Sequence, residues 1–160
     1  MARRWTPAVA LALIVLSGCS SGSTTASSTA GSPGREQARL AGADPGVAHV
    51  HGLGVDPADG ALYAATHFGL FRLPEQGQPT RVAGRMQDTR GFTVVGPSTF
   101  LGSGHPDSQK DPHLPPRLGL IRSTDAAETW QTVSLTGEVD FHALHAVHGR
   151  IYGWDAAADG

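Results

Sequence analysis

Short apolar runs alternate with turns that contain glycine or proline along the chain from about residue 49 onward. The same hairpin, an apolar strand followed by a turn and a second apolar strand, occurs three times, at residues 51–64, 91–102 and 142–153. Apolar runs that are bounded by such turn residues predict β-strands. No stretch of helix length places its apolar positions at the helical period, so this part of the chain is predicted to be all-β.

The copies are spaced as repeating four-stranded units. After each of the first two copies a third and a fourth strand are predicted, at residues 69–72, 80–84, 119–122 and 131–135. Units of four strands that repeat every ~40–45 residues are the blades of β-propellers. The first blade is expected over about 49–86 and the second over about 90–136, with a third beginning near residue 140. The sequence stops at Asp159-Gly160, within the third unit, and two and a half blades cannot close a ring, so we expect a C-terminally truncated fragment of a longer propeller.

A turn motif lies between the third and fourth predicted strands of the second unit. Ser123, Asp125, Thr129 and Trp130 follow the spacing S-x-D-x-x-x-T-W. Short Ser and Asp side chains in such a turn accept hydrogen bonds from its backbone N–H groups. The motif resembles the Asp box (BNR repeat) of sialidase-like β-propellers, which implies that fold and a structural role for these four residues. Ala127 stands where the family usually has Gly, and an Ala with positive φ would cost roughly 1–2 kcal/mol there.

The first 18 residues resemble a bacterial lipoprotein signal peptide. Arg3 and Arg4 precede an apolar run at 8–16 that is too short to span a bilayer, and Cys19 follows a small residue. This lipobox-like ending implies a lipid on Cys19, which anchors the protein to the outer face of the bacterial membrane. Cys19 is the only cysteine, so an internal disulfide is excluded. The alternative is an ordinary secretory signal with an incidental cysteine.

The segment 19–48 is predicted to be a flexible linker. It is rich in Ser, Thr, Ala and Gly, and such a segment buries too little apolar surface to offset its ordering entropy. Removing residues 1–18 takes away two arginines and no acid, so the formal net charge moves from −2 to −4. A mildly acidic protein lacks the basic footprint that nucleic-acid binding requires. Membrane attachment would therefore depend on the lipid.

Histidines are the main candidates for chemistry, because the chain contains eight of them. His49 and His51 lie two residues apart and therefore share a face of a strand. If Val55 pairs with Ala61 across the first turn, His49 lies opposite His67, and His51 lies diagonal to His67. The same reasoning for the second hairpin pairs Val95 with Phe100 and places Arg90 opposite His105.

Equivalent positions of successive blades converge near the axis of a propeller. The expected cluster comprises His49, His51, His67, His105 and His142. Imidazole groups in this number predict a divalent metal site, for Zn²⁺ or Cu²⁺, or a polar mouth that binds a ligand. The alternative is a set of rim residues that hydrogen-bond to neighbouring strands. The insertion at 105–117, which contains four prolines, is either a stiff binding loop or a surface excursion.

The closest resemblance, over residues 49–160, is to bacterial Asp-box lipoproteins described as sialidase-like or glycosylhydrolase-like. It is carried by the segments 49–54, 65–71, 102–106 and 140–142. The resemblance implies a lipid-anchored cell-surface propeller that binds a glycan or protein ligand. The alternative is an exo-acting glycoside hydrolase whose catalytic residues lie mostly outside this fragment. Sialidases use a Tyr/Glu pair and an arginine cluster, whereas Tyr63 and Tyr152 occupy equivalent strand positions here, which indicates packing.

Overall fold

A computed structural model describes residues 44–156 of the chain. The predicted signal peptide, Cys19 and the linker up to residue 43 lie outside this range. Ten β-strands form three antiparallel sheets, and the described residues contain no α-helix, only a 3₁₀ turn at Val82–Gly84. The prediction of an all-β fold is confirmed.

The strands follow one another across each sheet in chain order. The first sheet contains β1 (Val50–Val55), β2 (Leu62–Thr66), β3 (Gly69–Leu73) and β4 (Thr80–Arg81). The second contains β5 (Asp88–Gly96), β6 (Thr99–His105), β7 (Leu120–Ser123) and β8 (Gln131–Ser134). The third contains β9 (Phe141–Val147) and β10 (Arg150–Asp155). None of the three sheets closes on itself.

The first strands of the three sheets lie next to one another, since β1 contacts β5 and β5 contacts β9. Glycines permit this close approach. A Cβ at Gly54 would lie 2.6 Å from Val94 Cγ2, and a Cβ at Gly91 would lie 2.6 Å from the carbonyl oxygen of Phe141. Any larger side chain would force the sheets apart. Glycine on the face of β1 and β5 that meets the next sheet therefore sets how closely consecutive sheets pack.

The main core lies between the first two sheets and centres on Phe100, which is 0% exposed. Its ring makes T-shaped contacts with Tyr63 and Phe92, at centroid distances of 4.9 and 5.6 Å. Such edge-to-face pairs add to the free energy of apolar burial. Tyr63 is buried, as expected of a packing residue. Tyr152 is 54% exposed instead, because no described strand covers that face of the two-stranded third sheet.

The turn at 123–130 is held by its own side chains. Ser123 Oγ donates to Asp125 Oδ1 at 2.7 Å and accepts from the backbone N–H of Ala127 at 2.8 Å. The Asp125 carboxylate accepts from the hydroxyl and the N–H of Thr129, at 2.6 and 3.0 Å. The hydroxyl bond from Thr129 holds the pKa of Asp125 below its usual value. This turn therefore satisfies its backbone donors locally.

Ala127 adopts a positive φ at the position where a glycine was expected, and this conformation is unfavourable for alanine. Its φ is 72°, and Ala126 before it also has a positive φ of 56°. The methyl group of Ala127 is buried in the main core, and this burial offsets part of the cost. Trp130 returns from the turn onto the second sheet, where a Cβ at Gly102 would lie 3.1 Å from its ring.

Candidate functional site

In each sheet, one residue near the start of the first strand has no partner in the second strand. These residues are His51, Arg90 and His142, and each lies where the strand register shifts. Such β-bulges add one residue to a strand and redirect its side chain. The three positions are equivalent in the repeat. Because β1, β5 and β9 are neighbours, the bulges occur at the same end of three adjacent strands.

The register of the first hairpin differs from the predicted one near the turn, and a bulge at His51 compensates for the difference. Val55 pairs with Leu62 and not with Ala61. The extra residue then restores the expected pairing farther along, because the N–H of His67 donates to the carbonyl oxygen of His49 at 3.2 Å. His49 therefore lies opposite His67 as predicted, although the assumed turn pairing is wrong.

Two bulges change the second hairpin as well. Val94, and not Val95, pairs with Phe100, so the predicted pairing is wrong there. Asp88, and not Arg90, lies opposite His105. A bulge adds an unpaired residue to one strand only, so the pairing beyond it cannot be obtained by counting residues from the turn. The consequence is that a carboxylate enters the histidine region where an arginine was expected.

The first group of chemically active side chains comprises His51, His67 and Asp88. Their ligand atoms lie within 4.8 Å of one another. His67 Nδ1 is 3.1 Å from Asp88 Oδ2, and His51 Nε2 is 3.6 Å from Asp88 Oδ1. Two imidazoles and a carboxylate are ligands that Zn²⁺ and other divalent transition metals accept. This group could hold a metal ion.

The carboxylate of this group is buried and incompletely paired. Asp88 is 8% exposed, and its Oδ2 accepts from Arg90 Nε at 3.0 Å. Its Oδ1 accepts no hydrogen bond from residues 44–156. A buried carboxylate oxygen without a donor is costly. A cation at this position would remove that cost.

The surroundings of His51 favour the neutral form of its imidazole. Burial lowers the pKa of His51, and Asp88 opposes that shift, while Arg90, His67 and His142 add to it. A lower pKa keeps the imidazole neutral at a more acidic pH than an exposed histidine. Neutral imidazole is the ligand form.

A second group lies between the second and third sheets. His142 Nε2 is 3.1 Å and His105 Nε2 is 3.2 Å from Asp140 Oδ2. Asp140 is 7% exposed, and its Oδ1 has no donor among the described side chains and backbone. Arg90 connects the two groups, because its Nη1 is 2.8 Å from His142 Nε2.

The histidines that were predicted to form one cluster therefore divide. His51 and His67 belong to the first group, and His105 and His142 to the second. His49 lies beside the first group, with its ring centroid 6.1 Å from that of His67, and it is exposed. His113 and His148 are exposed, as expected for loop residues.

Sequence reasoning missed the two carboxylates. Asp88 and Asp140 occupy equivalent positions, each two residues before a bulge in the first strand of its sheet. The available signal was the pair of segments that begin Asp88-Thr-Arg90 and Asp140-Phe-His142. Because the bulges were not predicted, these carboxylates were not placed beside the histidines.

The insertion after His105 is anchored and also orients that histidine. Buried Asp107 accepts hydrogen bonds from the backbone N–H groups of Met86, Gln109 and Lys110. The carbonyl oxygen of Pro116 lies 2.6 Å from His105 Nδ1. The C-terminal end of the loop, at Pro116, therefore contacts His105 of the second group.

Comparison with protein-family models, with curated proteins and with solved structures finds no match for this chain. Within residues 44–156, no helix has the length and hydropathy that crossing a membrane requires.

Proposed function

We propose that this protein is an exported, lipid-anchored binding module of the cell surface, built as a sialidase-like β-propeller, whose ligand site contains a divalent metal ion. The observation that carries the proposal is the group formed by His51, His67 and Asp88, in which the buried Asp88 Oδ1 accepts no hydrogen bond from the residues that the structure describes. The metal would be Zn²⁺ or Cu²⁺, since imidazole nitrogens suit both.

Three features support the propeller. The first two sheets have four antiparallel strands in chain order, as propeller blades do. Their first strands lie side by side together with that of the third sheet. The turn at 123–130 has the residues of an Asp box in the corresponding place, between β7 and β8.

The donor set supports ligand binding through the metal. Three protein ligands leave at least one coordination position free, as in zinc sites that bind a further molecule. His67 and His51 side chains are 45% and 29% exposed, whereas that of Asp88 is 11% exposed. The two imidazoles are therefore accessible to solvent, from which an oxygen atom of a glycan or protein ligand would complete the coordination of a bound metal.

Replacing His51 by Ala should weaken Zn²⁺ binding by at least about tenfold, because one of three ligands is lost. Calorimetric titration of the full chain measures this. His113→Ala is the matched control, since His113 is exposed in the loop and lies outside both groups. Equal affinities in wild type and His51→Ala would contradict the proposed site.

The lipid anchor is tested separately. Metabolic labelling with a palmitate analogue should mark the wild type, and Cys19→Ser should lose the label because Cys19 is the only cysteine. Equal labelling of both proteins would contradict the anchor and leave the metal site unaffected.

A further inference from the structure

We propose that the groove between the second and third sheets binds a small organic anion with an apolar body, such as a fatty-acid carboxylate. The groove lies near the turns of the β5–β6 and β9–β10 hairpins, at the opposite end of these strands from the bulges at Arg90 and His142. Its volume is about 510 Å³, within the range of small-molecule sites, roughly 300–1,000 Å³. It shares no residue with the proposed metal site, so the two proposals are independent.

Most of the side chains that line the groove are apolar. Among them are Leu101, which is buried, and Val95, Val133 and Ile151, which are 41, 52 and 48% exposed. Single exposed apolar residues are usual on a protein surface, whereas a group of them in one concave patch marks an interaction site. The groove can therefore bury the apolar part of a ligand.

The groove also contains the basic side chains that lack a protein partner. Arg122 and Arg150 line it and are exposed, and neither guanidinium forms a hydrogen bond or an ion pair within residues 44–156. The other lysine and arginine side chains of this range each donate to a carboxylate or a carbonyl oxygen, and they are Arg72, Arg81, Arg85, Arg90, Lys110 and Arg117. No acidic residue is among the described residues that line the groove. The uncompensated charge of the groove is therefore positive, although the protein without residues 1–18 has a formal net charge of −4.

The internal repeat explains why Arg122 has no partner. Its equivalent in the first sheet is Arg72, which also ends a Gly-Leu-x-Arg segment in the third strand. Arg72 Nη2 donates at 2.9 Å to Asp59 Oδ2, in the turn between β1 and β2. The corresponding turn of the second sheet, at 97–98, contains no carboxylate. Arg122 is therefore left available to an anion from outside the chain.

A ligand that matches the groove combines a carboxylate with an apolar chain. The carboxylate accepts charge-assisted hydrogen bonds from guanidinium groups, and the chain removes exposed valine and isoleucine surface from water. Because both arginines are exposed, solvent screens their charges. The apolar contact therefore supplies most of the affinity, and the arginines select an anion over a neutral molecule of the same shape.

Octanoate is the probe, and calorimetric titration of the full chain measures its affinity. Metal ions are first removed with EDTA and dialysis, so that the carboxylate cannot bind a metal. We expect a dissociation constant of about 0.1–1 mM. Octanol, which has the same chain without the charge, should bind about threefold to tenfold more weakly. Acetate, which has the charge without the chain, should show no saturable binding.

Variants separate the charged part of the groove from the apolar part. Arg122→Gln and Arg150→Gln should each lower the affinity for octanoate about threefold, and the double variant should bind octanoate no more tightly than octanol. Their affinity for octanol should stay unchanged. Arg117→Gln is the matched control, because this exposed arginine lies outside the groove. Val133→Ser should instead weaken octanoate and octanol alike, and circular dichroism checks that each variant is folded.

NMR spectra of the isotope-labelled chain locate the binding. Octanoate should shift the amide signals of Val133 and Gly149, which line the groove. Shifts confined to Tyr152 and Trp154, which are each 54% exposed in the third sheet, would show adventitious apolar binding and overturn the proposal. Equal affinities for octanoate and octanol in the wild type would overturn it as well. The same holds for a lack of saturable octanoate binding, which would mean that the groove is not open to a ligand.

Discussion

The affinity for Zn²⁺ should fall by between about tenfold and a hundredfold when the pH is lowered from about 7.5 to about 5.5. The metal binds neutral imidazole, and a histidine with a pKa of about 6.5 loses a factor of ~10 in availability over this range. Two histidine ligands that each contribute such a factor give the upper value of about a hundredfold. Burial lowers the pKa of His51, so this ligand stays neutral to a lower pH and the fall is smaller than the upper value.

The direction of the pKa shift of His51 also fixes how the stability of the metal-free protein depends on pH. The folded protein favours neutral His51, so its contribution to stability is present above the unfolded pKa of about 6.5 and is lost as the pH falls through the lower folded pKa. Asp88 opposes the shift, whereas Arg90, His67 and His142 support it. Metal binding and stability of the metal-free protein therefore decrease in the same direction.

Calorimetric titration of the full chain at the two pH values measures the effect. Carboxylates titrate near pH 4 in model peptides, so imidazole protonation is the change that dominates this range. His51→Ala should show a shallower dependence, because one titrating ligand is absent. An affinity that does not change with pH in the wild type would exclude histidine ligation.

Replacing Phe100 by Ala should lower the free energy of unfolding by about 3–5 kcal/mol. The ring is 0% exposed and packs edge-to-face on Tyr63 from the first sheet and on Phe92 from the second. Its removal leaves a cavity that neither sheet can fill, since glycines already bring their first strands into contact. Both the lost burial and the cavity contribute to the loss.

Urea unfolding followed by circular dichroism measures this change. Leu114→Ala is the control, because Leu114 is 44% exposed in the loop and its loss should change stability by less than ~0.5 kcal/mol. A loss below ~1 kcal/mol in Phe100→Ala would show that the two sheets do not pack through this ring.

The strands could be predicted because their signals are local. Apolar runs separated by turn residues are visible in the sequence, and the three hairpins reinforce one another by repetition. The same applies to the turn at Ser123 and Asp125, whose side chains bond to backbone groups a few residues away. His49 was placed opposite His67 correctly, yet only because a bulge compensated for an error of one residue at the turn.

The sequence by itself determined the all-β class, the order of the strands and the region in which the histidines gather. Only the tertiary structure decided that Asp88 and Asp140 join them, that His49 stays outside and that two groups form instead of one cluster. The physical reason is that the bulges at His51, Arg90 and His142 each add a residue to one strand only and thereby shift the register beyond them by one residue. The side chains that meet across two sheets depend on that shift, and the contact between sheets depends on glycines whose role appears only when the strands are packed.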